Sequence, residues 1–323
     1  RRTMKEIAIT EFENLKIGQA ESLQGGTGCT DLLLGKEGAP AGLDVQGGGP
    51  ASRESELLKP TAAAGVIHAI LLSGGSAFGL DAAGGVMRYL EERNIGFDVG
   101  VTKVPLVCQS CLFDLTVADA STRPDAAMAY RACQNAEQGN YRDGNFGAGT
   151  GATVGKLLGM DYCMKSGIGS YAIQTGELKV GAIVAVNALG DIYDWQTGRK
   201  AAGLLAGDHK TFLDAEQVML RKTEVVENKF VGNTTLGVIF TNAAFDKTRL
   251  CKIAGMAHDG YARAIRPVHT TADGDSVYAV SLGTVAADQD VVGALGAQVM
   301  ATAILRAVQA AKSAYGFPAA CDL

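Results

Sequence analysis

The sequence has little to offer a polyanion or a bilayer. Its 29 lysines and arginines face 34 aspartates and glutamates, a formal charge of -5, and no local basic run makes up the deficit. Nucleic acid is therefore not an expected partner. No 18-residue apolar run occurs, and Arg1 to Thr10 lack the apolar stretch and small-residue cleavage site of a signal peptide. The expectation is a soluble, cytoplasmic protein with no membrane partner. Only four histidines are present, His68, His209, His258 and His269, too dispersed to suggest a metal cluster. Seven cysteines, an odd number scattered along a long chain, do not describe a disulfide framework and are taken as reduced thiols. Cys108-Gln109-Ser110-Cys111 is a CxxC, but no second CxxC or histidine pair at ligand spacing accompanies it, so no metal and no cofactor is expected. There is no internal repeat.

What the chain does have is glycine, 42 of 323 residues, about twice the usual share, which implies tight turns and close backbone approaches. Val66 to Leu72 is a short apolar run ending in Ser73-Gly74-Gly75, as expected of a buried strand reaching a turn. Ala77 to Arg93 and Pro124 to Glu137 carry helical patterns. Leu178 to Ala188, Leu236 to Thr241 and Ser276 to Leu282 are dense in β-branched and apolar residues, the composition of strands buried on both faces. Asp246 to Ile265 and Val291 to Tyr315 are predicted helices. Strands and helices mix through the whole length, which argues for a single layered domain, 1–323, with helices on the sheet faces. One shift in composition stands out. Asp208 to Lys229 holds five acidic and four basic residues, then runs through Phe230-Val231-Gly232-Asn233 into an apolar strand. This is either a surface connector or a place where the chain presents a bond for cleavage.

Two glycine-rich segments imitate known motifs and fail on inspection. Gly147 to Lys156 resembles a phosphate-binding loop, but Thr150 occupies the position of a required glycine and Leu157 follows the lysine where a hydroxyl would hold magnesium. What survives is a glycine-rich wall delivering one lysine. Gly74-Gly75-Ser76-Ala77-Phe78-Gly79 has the setting of a nucleophile elbow, but the last glycine falls one position late. Ser76 is better taken as a turn residue and helix N-cap.

Six segments in order resemble the self-processing peptidase and amidase family that includes the L-aminopeptidase/D-amidase/esterase enzymes, the β-aminopeptidases and the nylon-oligomer (6-aminohexanoate-oligomer) hydrolases. They are Gly25 to Thr30, Leu71 to Ala82, Gly147 to Lys156, Val184 to Ala188, Asn233-Thr234-Thr235 and His269 to Asp275, and together they span nearly the whole chain. The resemblance implies an αββα sandwich like that of N-terminal-nucleophile hydrolases. It also implies cleavage between Asn233 and Thr234, giving an α chain of 1–233 and a β chain of 234–323, and a homo-oligomer, a tetramer of αβ units. Thr234 would then be the nucleophile. A threonine hydroxyl is a poor nucleophile at neutral pH, but cleavage frees an α-amine with a pKa of about 8, able to act as its general base.

By the same resemblance Asn187 would donate to the developing oxyanion. Lys156 would hold the Thr234 hydroxyl and amine in working protonation states, and Asp273 and Asp275, two apart, would orient them. Without the resemblance each residue has a plainer explanation: Asn187 as a turn cap, Lys156 as a surface lysine, the aspartates as a solvated turn. Phe113, Asp114 and Phe146 are the substrate-pocket candidates. Where the aminopeptidase branch has Glu-Thr-Tyr-Asp, this chain has Cys111-Leu112-Phe113-Asp114, so it lacks the glutamate that anchors a substrate α-amine and leans toward the oligomer-hydrolase branch. The expected activity is hydrolysis of short peptides or ω-amino-acid oligomers. A self-cleaving threonine acyltransferase and a non-catalytic small-molecule-binding protein are the alternatives.

Overall fold

Alternation along the apolar strands sets the architecture. In Leu178–Asn187, Val180, Ala182, Val184 and Val186 belong to one buried cluster, while Ile183 and Ala185 belong to another. Successive side chains of a strand point to opposite faces, so such a strand needs an apolar layer on each side. The computed structural model, which describes residues 3–223 and 232–323, supplies both.

The layers are built from strands β1 (Met4–Glu6), β2 (Lys16–Ser22), β3 (Thr27–Leu33), β4 (Ala41–Val45), β5 (Ala51–Arg53), β6 (Ala69–Ser73), β7 (Val107–Cys111), β8 (Ile168–Thr175), β9 (Leu178–Asn187), β10 (Thr234–Ala243) and β11 (Ser276–Val285). The helices are α1 (Ala83–Glu91), α2 (Ala126–Glu137), α3 (Lys247–Ala264) and α4 (Gln289–Ala310). One sheet runs β1-β8-β9-β10-β11-β4, antiparallel except for the parallel pair β10 and β11. The other runs β2-β3-β6-β7-β5, antiparallel except for β6 and β7. Helices α3 and α4 pack on the outer face of the first sheet around Ile253, Tyr261, Val299 and Ile304. Helices α1 and α2 cover the second around Val86, Leu90, Ala129 and Ala132. Between the sheets lie Leu32, Ile70, Leu72, Ile183, Leu236, Val238, Phe240 and Tyr278. The order of layers is α, β, β, α, as expected.

Aspartates set the starts of three helices: Asp125, Asp246 and Asp288 accept backbone N–H groups of the first turns of α2, α3 and α4. Several expected boundaries shift. The strand expected at Val66 to Leu72 begins only at Ala69, since Ile67 pairs with Ala39 outside the sheet. Residues Ser76–Ala82 form a 3-10 helix, and α-helix begins at Ala83. Ser76 lies in the left-handed region at φ 53° and makes no side-chain capping bond, contrary to its expected N-cap role. Helix α4 stops at Ala310, short of Tyr315, because Asn145 pairs through its amide with both backbone groups of Lys312 and draws the chain off the helix axis. It is long and apolar enough to cross a membrane, yet its apolar positions are buried against α3, β8 and β9. Part of the charged connector forms a short helix, Ala215–Leu220; residues 224–231 lie outside the described structure.

Candidate active site

Strand β10 begins at Thr234, and strand parity turns that residue toward the space between the sheets, where Leu236, Val238 and Phe240 also point. Across the ladder Thr234 stands opposite Asn187, the last residue of β9. Strand register alone makes the expected nucleophile and the expected oxyanion donor neighbours. Asn233 and Thr234 are buried, 2% and 4% exposed. The Thr234 hydroxyl donates to the carbonyl oxygen of Asn233, and the Gly274 N–H donates to the same oxygen at 3.0 Å.

Asn187 is held by both ends of its amide. Its side-chain oxygen accepts from Lys156 Nζ at 2.8 Å and from the Thr153 N–H at 3.0 Å. Nδ2 is thereby turned toward the carbonyls of Phe113 at 2.8 Å and Gly232 at 3.4 Å. Lys156 also donates to Gly232 O at 3.0 Å and to Asn187 O at 3.3 Å. Two donors therefore converge on the carbonyl one peptide ahead of Asn233. Lys156 is no surface lysine: it is 2% exposed, and burial drives its pKa down to about 7 against the opposing pull of Cys163, Asp273, Asp114 and Asp275. The glycine-rich segment carrying it, with a 3-10 turn at Gly147–Gly149 and a short strand at Thr153–Val154, runs into no helix.

Asp273 and Asp275 come to the site but not to the hydroxyl. Asp275 Oδ1 accepts the Thr235 N–H at 2.9 Å, and its Oδ2 accepts the backbone N–H and Nδ1 of His269 at 3.1 and 2.9 Å. Asp273 accepts from Leu189 N at 3.3 Å, Thr270 N at 3.1 Å and the Thr270 hydroxyl at 2.5 Å. Burial, then the charge of Asp275, pushes Asp273 above the usual carboxylate range. In this chain the hydrogen bonds of Lys156 and of the two aspartates run to groups around Thr234 and not to its hydroxyl. In the uncut chain the Thr234 nitrogen belongs to a peptide and has no ammonium to draw a carboxylate. The turn from Thr270 to Asp273 leads into an extended stretch, in which Asp273 pairs with Asn233 ahead of β11.

Of the pocket candidates, Phe113 reaches the site through its carbonyl. Asp114 is buried nearby, accepting from the Thr27 hydroxyl at 2.6 Å and the Gly75 N–H at 2.8 Å, and burial raises its pKa to about 6 in spite of those donors. Phe146 lies under the Arg142 guanidinium, 3.8 Å from the ring centre. An open cleft of about 650 Å³, lined by Thr116, Val117, Asp161, Tyr162, Cys163 and Tyr315 among others, approaches from this side. Its Cys163 lies within electrostatic reach of Lys156, and its Tyr315 within reach of Asp114.

Two participants carry no signal in side-chain chemistry. Gly274 presents its N–H to Asn233 O, and a Cβ there would stand 2.5 Å from the Thr234 hydroxyl oxygen. The segment Gln46 to Gly49 zips along the backbone of Thr270 to Asp275, with Gly49 N donating to Asp273 O at 2.9 Å. A Cβ at Gly47 would meet Asp275 N at 2.3 Å. Three glycines ahead of Pro50 were the available sign of such an approach. His269 grips Asp275. The CxxC cysteines, by contrast, point to opposite faces of β7, Cys108 into the inter-sheet core and Cys111 to Ser73 Oγ at 3.1 Å. Among the described residues no three His, Cys, Asp or Glu side chains gather as a metal site.

The sequence model of peptidase family S58 matches residues 8–320. An uncharacterised aminopeptidase of Mycobacterium leprae is 35% identical, the match covering 98% of this chain and 94% of that one. The 6-aminohexanoate-oligomer endohydrolase of a Kocuria species is 28% identical over 96% of this chain and 88% of its own. Among solved structures, the L-aminopeptidase D-Ala-esterase/amidase of Ochrobactrum anthropi, described as a variant of the N-terminal-nucleophile hydrolase fold, superposes with a TM-score of 0.70 at 17% identity, covering 94% of this chain and 86% of that one. A Burkholderia β-aminopeptidase gives 0.67 at 19% identity, covering 96% and 89%.

Proposed function

The chain belongs to peptidase family S58 and is a hydrolase of amide bonds, and from that premise we propose that it cuts its own Asn233–Thr234 bond and then works with Thr234 as an N-terminal nucleophile. One observation carries the reading. A buried hydroxyl at the head of a strand sits against the carbonyl of its own preceding peptide, and a backbone N–H from Gly274 holds that carbonyl oxygen.

In self-cleavage, Thr234 Oγ attacks the Asn233 carbonyl carbon and the negative charge forming on oxygen falls to the Gly274 N–H. The hydroxyl proton passes to the departing nitrogen as the peptide bond breaks, leaving an ester on Oγ and a free α-amine, and water then hydrolyses the ester to release the Asn233 carboxylate and restore the hydroxyl. The chain becomes an α part of 1–233 and a β part of 234–323. With Asn233 withdrawn, Asn187 Nδ2 is free of Gly232 O and becomes a side-chain donor for the oxyanion of an incoming amide. The new α-amine takes the hydroxyl proton as Thr234 attacks, returns it to the departing amine, and activates the water that hydrolyses the acyl ester. Lys156, bonded to the oxygen of Asn187, keeps Nδ2 aimed. Asp275, bonded to Thr235, holds the strand start in place.

Short peptides and ω-amino-acid oligomers are the proposed substrates. Cys111 in place of an amine-anchoring glutamate favours oligomers over free α-amino termini. The same reading has αβ units associate as a cytoplasmic homotetramer. Intact-mass measurement tests the proposal: two fragments meeting at Asn233 and Thr234 are expected from the unmodified chain. Thr234→Ala is expected to give one unbroken chain, inactive on amino-acyl p-nitroanilides, β-peptides and 6-aminohexanoate oligomers. An unbroken chain with full activity would overturn it.

A further inference from the structure

Resting on that reading of Thr234, we propose that His269 is a positioning residue of the reaction: its backbone and ring N–H groups clamp one oxygen of Asp275 and so turn the other to the strand that carries the nucleophile. The clamp is direct. His269 N and Nδ1 lie 3.1 and 2.9 Å from Asp275 Oδ2, and Oδ1 accepts the Thr235 N–H at 2.9 Å. Asp275 is 1% exposed. A buried carboxylate has few orientations that satisfy it, and the partner of one oxygen decides where the other points.

Two features of His269 are unfavourable in themselves, and the clamp accounts for both. Its backbone lies at φ 54°, a region that L-residues seldom occupy. That turn aims the residue's own N–H and its ring at the same carboxylate oxygen. The second is the far side of the ring. There Nε2 is buried with no hydrogen-bond partner among the described residues. Native structures rarely leave such a group orphaned. The ring is placed for Asp275 and not for its own satisfaction.

Helix α3 holds it there. His258 and Tyr261, one turn apart and on one face, press on the imidazole, His258 edge-on at 4.7 Å and Tyr261 stacked at 5.8 Å between ring centres. The single O–H of Tyr261 is shared between Thr235 O at 3.2 Å and Ser276 O at 3.0 Å, tying the same wall to β10 and β11. His258 Nε2 reaches Asp44 O at 3.0 Å, at the end of β4 that leads into the Gln46–Gly49 zipper. The imidazole thus stands where α3, β4 and the Asp-Gly-Asp segment meet.

The test compares donors of matched placement. His269→Asn keeps an N–H where Nδ1 stands; His269→Leu keeps the bulk and removes the donor; His269→Gln carries its N–H to the region of Nε2 instead. Loss of a charge-assisted hydrogen bond is expected to slow both conversion of precursor to fragments and kcat by about tenfold or more in the Leu and Gln variants, with KM changed by less than about threefold. The Asn variant is expected to recover most of the rate. Should the Leu variant not fold, the Asn and Gln pair carries the comparison. Equal rates for Asn and Gln, or wild-type processing and kcat in a folded Leu variant, would overturn the proposal. Thr234→Ala, run alongside, separates the outcomes: if it too is cleaved and active, the reading of the nucleophile fails, whatever the His269 variants do.

Discussion

Replacing Lys156 by methionine is the sharpest test of the electrostatics at the centre of this site. The substitution keeps much of the side-chain volume and removes one ammonium whose Nζ bonds to Asn187 Oδ1, Asn187 O and Gly232 O. Burial lowers the Lys156 pKa from 10.5 to about 7, a difference worth roughly 5 kcal/mol between the charged and neutral forms. The sign follows from proton counting. Between those two values the unfolded chain binds a proton that the folded chain does not, so stability is full above the unfolded pKa and declines as pH falls toward about 7. The slope is about 1.4 kcal/mol per pH unit. Methionine has no such slope. Lys165, also buried and lowered to about 7, contributes alike to both chains and cancels in the comparison. In a Thr234→Ala background, which keeps the chain uncut, the stability difference between the two proteins should therefore change by roughly 2 kcal/mol from about pH 7.5 to about pH 9, with the methionine chain relatively more stable at the lower pH. Urea unfolding at fixed salt measures this as a divergence of midpoints by about 0.5 to 1 M. Parallel curves would mean that Lys156 stays charged when folded and that its three oxygen partners suffice to hold it so.

Three further outcomes follow from the geometry. Asn187→Ala in the matured enzyme should lower kcat by about 100-fold with little change in KM, read by steady-state kinetics, since it removes a preorganised donor to the oxyanion; an equal loss spread over KM would place Asn187 in ground-state binding instead. Gly274→Ala puts a Cβ 2.5 Å from the Thr234 hydroxyl oxygen and 2.7 Å from Gly49 O. The uncut precursor should accumulate, with self-cleavage slowed by about tenfold or more, and a gel time course showing normal processing would refute that packing. Thiol titration of the native protein should show fast reaction at Cys321, slower reaction at half-buried Cys251, and none at the five buried cysteines until denaturant is added; reducing agent should leave the melting temperature unchanged.

Much of the fold was legible because local chemistry sets element type. The runs Leu178 to Ala188 and Ser276 to Leu282 are apolar on both parities, and only a strand between two apolar layers suits that composition. The aspartates ahead of α2, α3 and α4 mark their starts as plainly as side chains can. Boundaries were less legible where a distant partner intervened. Nothing near Ala310 in the sequence says that Asn145 will capture the backbone of Lys312 and end the helix there.

The residue types of the site, and the bond proposed for cleavage, were fixed by the sequence: a threonine after an asparagine at a strand start, an asparagine ending another strand, a lysine after a glycine run, and two aspartates around a glycine. Tertiary structure alone decided how they meet. Strand register put Asn187 across from Thr234, and burial lowers the Lys156 pKa toward about 7. The Gly274 N–H came to the Asn233 carbonyl, and His269 to the far oxygen of Asp275. The reason is physical. A pattern of side chains specifies which faces must be covered, whereas a backbone donor is the same in every residue but proline, and its target is set only when segments far apart in the chain are held in one register.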